Sequence, residues 1–209
     1  MRVELLEIMR CPLTGKRLIL EKPIYSNERV ESGWLVSEDG CHRYMILDFI
    51  PRFVSESNYA NSFGFQWNRF RETQLDSHSG VPISRDRFYR STGWSPDDLK
   101  GKTVLEVGCG AGRFTEILLY VGAIVVALDY SNAVDACWKN HYLHPNLTVV
   151  QGDIYNLPFQ GETFDFVFCF GVLQHTPDVK KAFMSLPSQL KKGGHLAVDV
   201  YRKSIRHIF

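Results

Sequence analysis

The chain has 209 residues, of which 44% are hydrophobic and 22% charged, and its formal net charge is +1. This length accommodates one ordinary domain and a small accessory one, and the near-neutral charge argues against a large nonspecific surface for nucleic acid. No run approaches the ~20 apolar residues needed to span a bilayer, and the N-terminus lacks a signal-peptide stretch, so we expect a cytoplasmic protein without membrane contact. We interpret the five cysteines as reduced thiols.

Residues 1–54 have the pattern of a small β-rich module. A short amphipathic helical turn opens it, a Thr-Gly-Lys turn and a strand follow, and two more strands are predicted at Trp34–Val36 and Tyr44–Ile46. The opening LLEIMRCPLTG and the closing YMILDFIPRF resemble the zinc-ribbon-like domains that act as activator subunits of tRNA, rRNA and protein methyltransferases. The resemblance implies an N-terminal ribbon module.

This ribbon lacks most of the zinc ligands of the domains it resembles. A structural zinc site needs four ligands, typically as two Cys-x-x-Cys pairs. Here Cys11 would pair with Thr14, and the second pair falls on positions without cysteine. Cys41 and His42 could supply ligands, but adjacent residues on a strand point to opposite faces. We therefore expect a metal-free ribbon that is held together by its own apolar core.

An aromatic segment at residues 63–70 follows a polar, linker-like stretch. Phe63, Trp67 and Phe70 share one helical face by their spacing. That face either docks the ribbon on the rest of the chain, or covers the ligand cleft of the following domain as a lid. Under the second interpretation the substrate-side candidates are Gln66, Trp67 and Arg69.

The rest of the linker region, which we place at residues 55–98, is predicted to combine a mobile loop at Leu75–Val81 with a helical lid. A charged amphipathic helix is expected over Ile83–Thr92. A second helix is predicted to begin at Pro96, because Ser95 is a favoured capping residue and proline is favoured at the first helical position.

From Gly101 onward, predicted strands and helices alternate. Near-continuous apolar strands between helices are typical of a parallel sheet that is covered on both faces. We expect a doubly wound, mostly parallel sheet over residues 99–209, with its ligands beyond the carboxyl ends of the strands. The predicted strands are 103–107, 124–128, 148–151, 164–170 and 195–200, and the predicted helices are 114–120, 133–140 and 179–190.

The stretch TVLEVGCGAGR at residues 103–113 indicates a buried strand, a tight glycine turn and the start of a helix. A dinucleotide-binding fingerprint requires a glycine three residues after the second one, where this chain has Arg113. The Gly-x-Gly-x-Gly spacing behind the acidic Glu106 resembles the class I S-adenosylmethionine-dependent methyltransferases. The resemblance covers about Leu99 to Tyr201 and implies a Rossmann-like fold that binds S-adenosylmethionine.

Polar residues follow the first three predicted strands at one edge of the sheet. Asp129 lies where a carboxylate can accept two hydrogen bonds from ribose hydroxyls. The resemblance implies that Asp153 binds the adenine amine, that Tyr130 and Ile154 sandwich the adenine, and that Glu106 helps to hold the methionine end. The predicted cofactor-binding residues are Glu106, Gly108, Cys109, Gly110, Gly112, Asp129, Tyr130, Asp153, Ile154, Phe170 and Gly171.

His175 is the predicted catalytic residue and a further substrate-side candidate. It lies in the loop after the fourth strand, where the resemblance places the methyl donor opposite its acceptor. Imidazole titrates near neutral pH, so it could take a proton from an attacking amine or hydroxyl, or orient the substrate. Displacement at a sulfonium needs mainly alignment and desolvation, which leaves a structural role for His175 open as well.

The predicted sheet ends earlier than the resemblance implies. The sheet of the family has seven strands, and the last two form a hairpin beside the fifth. Only residues 202–209 follow Tyr201, which is too short for that hairpin. We expect either a truncated fragment, or a fifth strand whose exposed edge pairs with another copy of the chain.

The function that the resemblance implies is methyl transfer from S-adenosylmethionine to a small-molecule acceptor. One alternative is an RNA or protein methyltransferase in which the ribbon recognises the macromolecule, although the near-neutral charge makes nucleic acid a disfavoured partner. Another alternative is a module that binds the cofactor without transferring the methyl group. The sequence does not identify the acceptor or the atom that is methylated.

Overall fold

The computed structural model describes residues 1–54 and 61–201, apart from the side chains of residues 61–63. Residues 55–60, at the start of the predicted linker region, and residues 202–209 lie outside the described residues. The strands are β1 Leu18–Ser26, β2 Arg29–Ser37, β3 Arg43–Leu47, β4 Ile50–Arg52, β5 Thr103–Val107, β6 Ile124–Asp129, β7 Leu147–Gln151, β8 Phe164–Cys169 and β9 Leu190–Val198. The helices are α1 Asn61–Arg69, α2 Asp76–Ser79, α3 Ile83–Thr92, α4 Pro96–Leu99, α5 Thr115–Tyr120, α6 Ala133–His141 and α7 Val179–Ser185.

The nine strands form one sheet in the order β1-β2-β3-β4-β7-β6-β5-β8-β9. From β4 to β9 all neighbouring strands are parallel. The strand order reverses at β5, because β6 and β7 lie on one side of it and β8 and β9 on the other. The prediction of a mostly parallel, doubly wound sheet is confirmed.

Both faces of the parallel strands are buried, as their apolar sequences require. Neighbouring residues of one strand point to opposite faces, and Val104 and Leu105 accordingly belong to two different hydrophobic clusters. Helices α3, α5 and α6 contribute to the cluster of Val104, whereas α7 and the N-terminal segment contribute to that of Leu105. The sheet is therefore covered on each face by a different part of the chain.

Residues 1–54 extend this sheet and share its core. A 3-10 helix at Val3–Glu7 precedes strands β1 to β4, which pair antiparallel, and β4 joins β7 through the pair Arg52 and Gln151. Met1, Met9 and neighbouring apolar residues are buried in the cluster that includes Leu105. The division of the chain at residue 54 stays a prediction, and in the structure one sheet and one core cross that boundary.

Two predicted boundaries near the C-terminal end are wrong. Helix α7 ends at Ser185, not at residue 190, because Pro187 lacks a backbone N–H and begins a 3-10 turn instead. Strand β9 begins at Leu190, five residues earlier than predicted. Its register against β8 shifts between the partners of Phe164 and Phe166, so this glycine-containing stretch is irregular.

The two helices predicted at Ile83–Thr92 and from Pro96 are present, whereas the predicted loop at Leu75–Val81 contains the short helix α2. Helix α3 spans Ile83–Thr92, and Ser95 caps α4 by accepting a hydrogen bond from the Asp98 N–H. Helix α1 lies against the start of α6, where the Asn68 side chain donates to the Asn132 carbonyl at 2.7 Å. No helix in the described ranges is long and apolar enough to cross a membrane.

Candidate functional site

A cavity of about 290 Å³ opens at the carboxyl ends of the parallel strands. It extends from the end of β7, past the glycine turn after β5, to the loop after β8. Ligands of doubly wound sheets bind at this edge, where the strand order reverses. Nine of the eleven predicted cofactor residues line the cavity: Gly108, Cys109, Gly110, Asp129, Tyr130, Asp153, Ile154, Phe170 and Gly171.

The glycine turn requires glycine for two separate reasons. Gly108 and Gly110 have φ values of +83° and +53°, which side chains other than glycine rarely adopt. A Cβ atom on Gly108 would also lie 2.1 Å from Cγ2 of Val172, so the turn and the loop after β8 are in direct contact. The backbone can therefore form the cavity floor only without a side chain at this position.

Gly112 does not line the cavity, although it was predicted to bind the cofactor. It has a φ of +91°, and a Cβ atom there would lie 2.6 Å from Nε2 of His141 in α6. The same imidazole nitrogen lies 3.0 Å from the Gly112 carbonyl oxygen, and burial lowers the pKa of His141. Gly112 thus allows α6 to pack closely against the turn.

Asp129 connects the end of β6 to the glycine turn. One carboxylate oxygen accepts a hydrogen bond from the Gly110 N–H at 2.9 Å, and the other accepts from the Ser131 N–H and hydroxyl, each at 2.8 Å. Burial raises the pKa of this carboxyl group, and these hydrogen bonds oppose that shift. A carboxylate oxygen can accept more than one hydrogen bond, so Asp129 retains capacity for ligand hydroxyls.

Glu106 lies behind the cavity wall, not on it. It is 1% exposed, and its Oε2 atom accepts a hydrogen bond from the Thr115 hydroxyl at 2.6 Å. Burial raises the pKa of this carboxyl group to about 8. Its Oε1 atom is buried and has no hydrogen-bond partner among the described residues.

Tyr130, Asp153 and Ile154 lie together at the β6 and β7 end of the cavity. The Asp153 carboxylate accepts a hydrogen bond from the Tyr155 N–H at 2.9 Å, which fixes the turn after β7. Burial and the nearby Asp153 raise the pKa of Tyr130. The structure therefore brings the three residues to one end of the cavity, as the sequence analysis predicts.

The opposite end of the cavity contains a charged network that the sequence analysis missed. The Gly171 N–H donates to the Asp199 carboxylate at 2.5 Å, and Asp199 forms an ion pair with Arg87 at 2.7 Å. Arg113 also lines the cavity, although the sequence analysis used it only to exclude a dinucleotide fingerprint. Arg87 and Arg113 meet these partners only through the fold, so the sequence carried no local signal for the network.

Of the three substrate-side candidates in the aromatic segment, one lines the cavity and two face solvent. Trp67 lines the cavity, and its Nε1 atom would lie 3.6 Å from a Cβ atom on Gly110. Gln66 and Arg69 are exposed and are not among the residues that line it, so their substrate-side role gains no support from the geometry. The side chain of Phe63 lies outside the described residues. Arg71, Gln74 and Leu75, which were not predicted, line the cavity instead.

His175 lines the cavity in the loop after β8. Its ring centroid lies 6.2 Å from that of Tyr201, and the two rings are perpendicular. This position allows either of its predicted roles, as a base or as a residue that orients the substrate. In residues 1–54, Cys11 is buried beside the Tyr44 hydroxyl, and no three His, Cys, Asp or Glu residues in the described part of the chain are grouped to hold a metal ion.

The geometry of the cavity fits S-adenosylmethionine at three points. The turn leaves the Gly110 backbone open toward the cavity, Asp129 is a ribose-type acceptor beside it, and Asp153 places a second carboxylate at the β7 end. Backbone N–H groups and a strand-end acid are the groups that hold adenosine cofactors in doubly wound folds.

Comparisons with known proteins agree with this assignment. Residues 105–198 match the family described as Methyltransferase domain. The chain is 34% identical over 110 residues to a protein of Coxiella burnetii named ubiquinone biosynthesis O-methyltransferase, and the match covers 52% of this chain and 47% of that one. The chain therefore spans about half the length of the curated relatives that it matches.

Solved structures share the fold. A candidate S-adenosyl-L-methionine-dependent methyltransferase of Methanococcus maripaludis superposes with a TM-score of 0.55 at 21% identity, covering 69% of this chain and 65% of that one. Phosphoethanolamine N-methyltransferase 1 of Haemonchus contortus, solved with phosphoethanolamine and S-adenosylhomocysteine, superposes with a TM-score of 0.52 at 18% identity. That match covers 69% of this chain and 33% of the other.

Proposed function

We propose that this chain, whose residues 105–198 form a methyltransferase domain, transfers a methyl group from S-adenosylmethionine to a small-molecule acceptor. The observation that carries the proposal is the hydrogen bond between the Gly110 N–H and Asp129 at the floor of the cavity. It joins a glycine turn without side chains to a strand-end carboxylate at the point where the strand order reverses. That combination suits a ligand with a ribose and a charged tail.

The residues at the β6 and β7 end would hold the adenosine. Asp129 would accept hydrogen bonds from ribose hydroxyls, Asp153 from the adenine amine, and Tyr130 and Ile154 would contact the faces of the ring. The cofactor supplies an electrophilic methyl group on a sulfonium when it is bound. Glu106 would orient the turn from behind, through its hydrogen bond to Thr115.

The residues at the β8 end would position the acceptor. Phe170 is almost fully buried and His175 lines the cavity, so this end combines an apolar wall with a group that can bind a proton. Displacement at a methyl group depends on the alignment of the two reacting atoms and on the exclusion of water. We assign His175 the role of base or of orienting residue on this basis.

A small acceptor is favoured over a macromolecule. The cavity lies between the sheet edge and Trp67, and the formal net charge of +1 provides no general attraction for nucleic acid. The curated relatives are named O-methyltransferases of ubiquinone biosynthesis, and we extend from that name only the small size of the acceptor.

We also propose that residues 1–54 are a ribbon-like accessory part that binds no metal. The antiparallel strands β1 to β3 and the lack of a second Cys-x-x-Cys pair support this proposal. Elemental analysis of the purified chain tests the absence of metal, since stoichiometric zinc would contradict it.

Titration calorimetry with S-adenosylmethionine and S-adenosylhomocysteine tests the main proposal. We expect binding in the micromolar range to the 209-residue chain, and loss of that binding when Gly110 and Asp129 are both replaced by alanine. Asp97→Ala is the control, because Asp97 is exposed on α4, and this variant should bind as tightly as wild type. No binding by the folded wild-type chain, or unchanged binding by the double variant, would refute the proposal.

A further inference from the structure

Three arginines line the cavity. Arg71 precedes α2, Arg87 is in α3, and Arg113 follows the glycine turn. The acids that line the same cavity, Asp129 and Asp153, are at the ends of β6 and β7, on one side of β5. Arg87 is instead linked through Asp199 to Gly171 in the loop after β8, so it lies on the opposite side of β5 from the two acids.

Two of the three arginines already have a carboxylate partner. Arg87 pairs with Asp199 at 2.7 Å, and Arg71 pairs with Glu72 at 2.8 Å. Arg113 is different, because within the described ranges no carboxylate lies within ion-pair distance of its guanidinium. Its Nε–H donates to the Ser84 hydroxyl at 2.8 Å, which holds the side chain in place.

The acid whose charge acts on Arg113 is already hydrogen-bonded to other groups. The carboxylate of Asp76 raises the pKa of Arg113 through its charge, but its two oxygens accept hydrogen bonds from the N–H groups of Ser84 and Arg85. Burial and the charge of Arg87 lower the pKa of Arg113. A half-buried cation next to a second cation is a position where a bound anion is stabilising.

Both cations lie against one aromatic ring. The guanidinium carbon of Arg113 lies 5.1 Å from the centroid of Phe114, and that of Arg87 lies 5.6 Å from it. The guanidinium of Arg87 also lies 5.9 Å from the centroid of Phe170. The two planar donors thus meet beside an apolar wall, an arrangement that suits a carboxylate or phosphate on a flat or aliphatic body.

We propose that Arg113, supported by Arg87, binds a carboxylate or phosphate group of the methyl acceptor, and that the acceptor is therefore a small organic anion. This inference rests on the proposed function, since it concerns the acceptor end of the same cavity. Arg113 is a binding residue here and determines which acceptors enter. Ser84 is a positioning residue, because it fixes the guanidinium through Nε.

The carboxylate of the cofactor is the other source of a negative group in this cavity. Arg87 is tied through Asp199 to Gly171, and Arg113 is tied to Ser84 of α3, so both belong to the β8, β9 and α3 side. That side is where the loop carrying His175 lies, and we therefore assign the arginines to the acceptor. The experiment separates the two sources.

The test uses benzoate and phenyl phosphate as anionic probes and benzamide as their neutral counterpart. Dissociation constants are measured by ligand-observed NMR on the full chain, with and without saturating S-adenosylhomocysteine. Because hydrogen bonds to a charged group are stronger than those to a neutral one, we expect at least one anion to bind about tenfold or more tightly than benzamide. Arg113→Gln should bind the preferred anion and benzamide with similar affinities. Arg113→Lys, which keeps the charge, should retain part of the preference for the anion.

Arg90→Gln is the matched control, since Arg90 is exposed in α3 and does not line the cavity. It should leave the preference for the anion unchanged. A wild-type chain without that preference, or an Arg113→Gln variant that keeps it in full, would overturn the proposal.

The cofactor arm compares S-adenosylhomocysteine with 5′-methylthioadenosine, which lacks the amino acid portion. If the ratio of their affinities is the same in wild type and Arg113→Gln, the arginine does not hold the cofactor's carboxylate and the proposal is supported. If the variant binds the two compounds with more similar affinities than wild type does, Arg113 holds the carboxylate of the cofactor and the proposal fails. Absence of all S-adenosylhomocysteine binding to wild type would instead refute the proposed function, independently of the anion preference.

Discussion

The backbone N–H of Gly110 donates a hydrogen bond to the carboxylate of Asp129, and this contact joins the glycine turn to the end of β6. The same carboxylate also accepts from Ser131, so a single side chain fixes both walls of the proposed ribose site. Asp129→Ala removes the acceptor and leaves the Gly110 N–H without its partner. We expect S-adenosylhomocysteine affinity to fall at least about tenfold, since hydrogen bonds to charged groups contribute about 1.5–3 kcal/mol each.

Calorimetry on Asp129→Ala and on the exposed-site variant Asp97→Ala checks this expectation. The second variant should bind as tightly as wild type. Equal affinity of wild type and Asp129→Ala would mean that this carboxylate contributes only to the fold.

Replacement of Gly108 by alanine should destabilise the turn through two effects. The new side chain would adopt a φ of +83°, and its Cβ would lie 2.1 Å from Val172. Gly40→Ala isolates the first effect, because Gly40 has a φ of +73° and nothing within 4 Å of the added atom. We expect the control to lose about 1 kcal/mol of unfolding free energy and Gly108→Ala to lose more than about 2 kcal/mol.

Urea unfolding measures both variants. Addition of Val172→Ala to Gly108→Ala should recover part of the loss, because it removes the methyl group that the new Cβ would meet. If the double variant is no more stable than Gly108→Ala, the loss of unfolding free energy comes from the backbone conformation and not from the contact with Val172.

The buried carboxyl group of Glu106 should make stability depend on pH. Its pKa is about 8 in the folded chain, against an ordinary value of 4.5. Between pH 4.5 and about pH 8 the folded state therefore keeps a proton that the unfolded state has released. The contribution of Glu106 to the unfolding free energy should therefore be largest near about pH 5 and should fall as the pH rises to about 8. The upper limit of this effect is roughly 5 kcal/mol, at 1.36 kcal/mol per unit.

Glu106→Gln is expected to flatten the dependence, since the amide does not titrate. Chemical unfolding at pH 5, 6, 7 and 8 checks this, with the exposed Glu38→Gln as the control. A smaller slope should persist in Glu106→Gln, because burial also raises the pKa of Asp129. The same slope in wild type and Glu106→Gln would show that this carboxyl group is ionised in the folded chain.

Trp67 should report ligand binding by fluorescence. The chain has four tryptophans, and Trp67 is the one that lines this cavity. We expect S-adenosylhomocysteine to change the emission of wild type, and Trp67→Phe to remove most of that change. Trp94→Phe, within the aromatic cluster around Phe88 and Phe166, should keep it. A full response in Trp67→Phe would indicate that α1 does not cover the bound ligand.

Arg52 should contribute to the connection between the N-terminal strands and the parallel sheet. Its guanidinium donates to Gln151 at 3.0 Å and pairs with Asp135 at 2.7 Å, and its side chain is 11% exposed. Removal of one partner from a mostly buried ion pair is costly, so Arg52→Ala should lose about 2–3 kcal/mol of unfolding free energy. Arg43→Ala breaks an exposed pair with Glu21 and should lose less than about 1 kcal/mol.

Thermal and urea unfolding compare the two arginine variants. A double-mutant cycle of Arg52→Ala with Asp135→Ala gives the coupling energy, which we expect to be at least about 1 kcal/mol. Equal losses for the two arginine variants would mean that the pair at the strand junction is no stronger than a surface pair.

The parts of the site that depend on local sequence could be predicted. The order of apolar strand, glycine turn and strand-end acid is encoded within a few residues, and it placed Gly110, Asp129 and Asp153 in one cavity. Features that depend on the packing of distant segments could not be read from the sequence. Gly112 was expected to contact the ligand, whereas its lack of a side chain accommodates His141 of α6.

Long-range partners also explain the missed cations. Arg113 is 29 residues from Ser84 and Arg87 is 112 residues from Asp199, so periodicity gives no indication that they meet. Among Gln66, Trp67 and Arg69, only Trp67 reaches the cavity, because the orientation of α1 is set by its contact with Asn132. The boundary of α7 was missed for a local reason, since Pro187 was a visible helix breaker.

The junction of β4 and β7 has a consequence for the order in which the chain is made. Arg52 and Gln151 are 99 residues apart, so the N-terminal strands leave the ribosome long before their neighbour in the sheet exists. Their apolar residues, Met9 and Leu35 among them, share a cluster with strands of the later domain. Residues 1–54 are therefore made before the strands that complete their burial. The nascent chain therefore carries an uncovered apolar face and an open strand edge, which a chaperone or slow translation would protect.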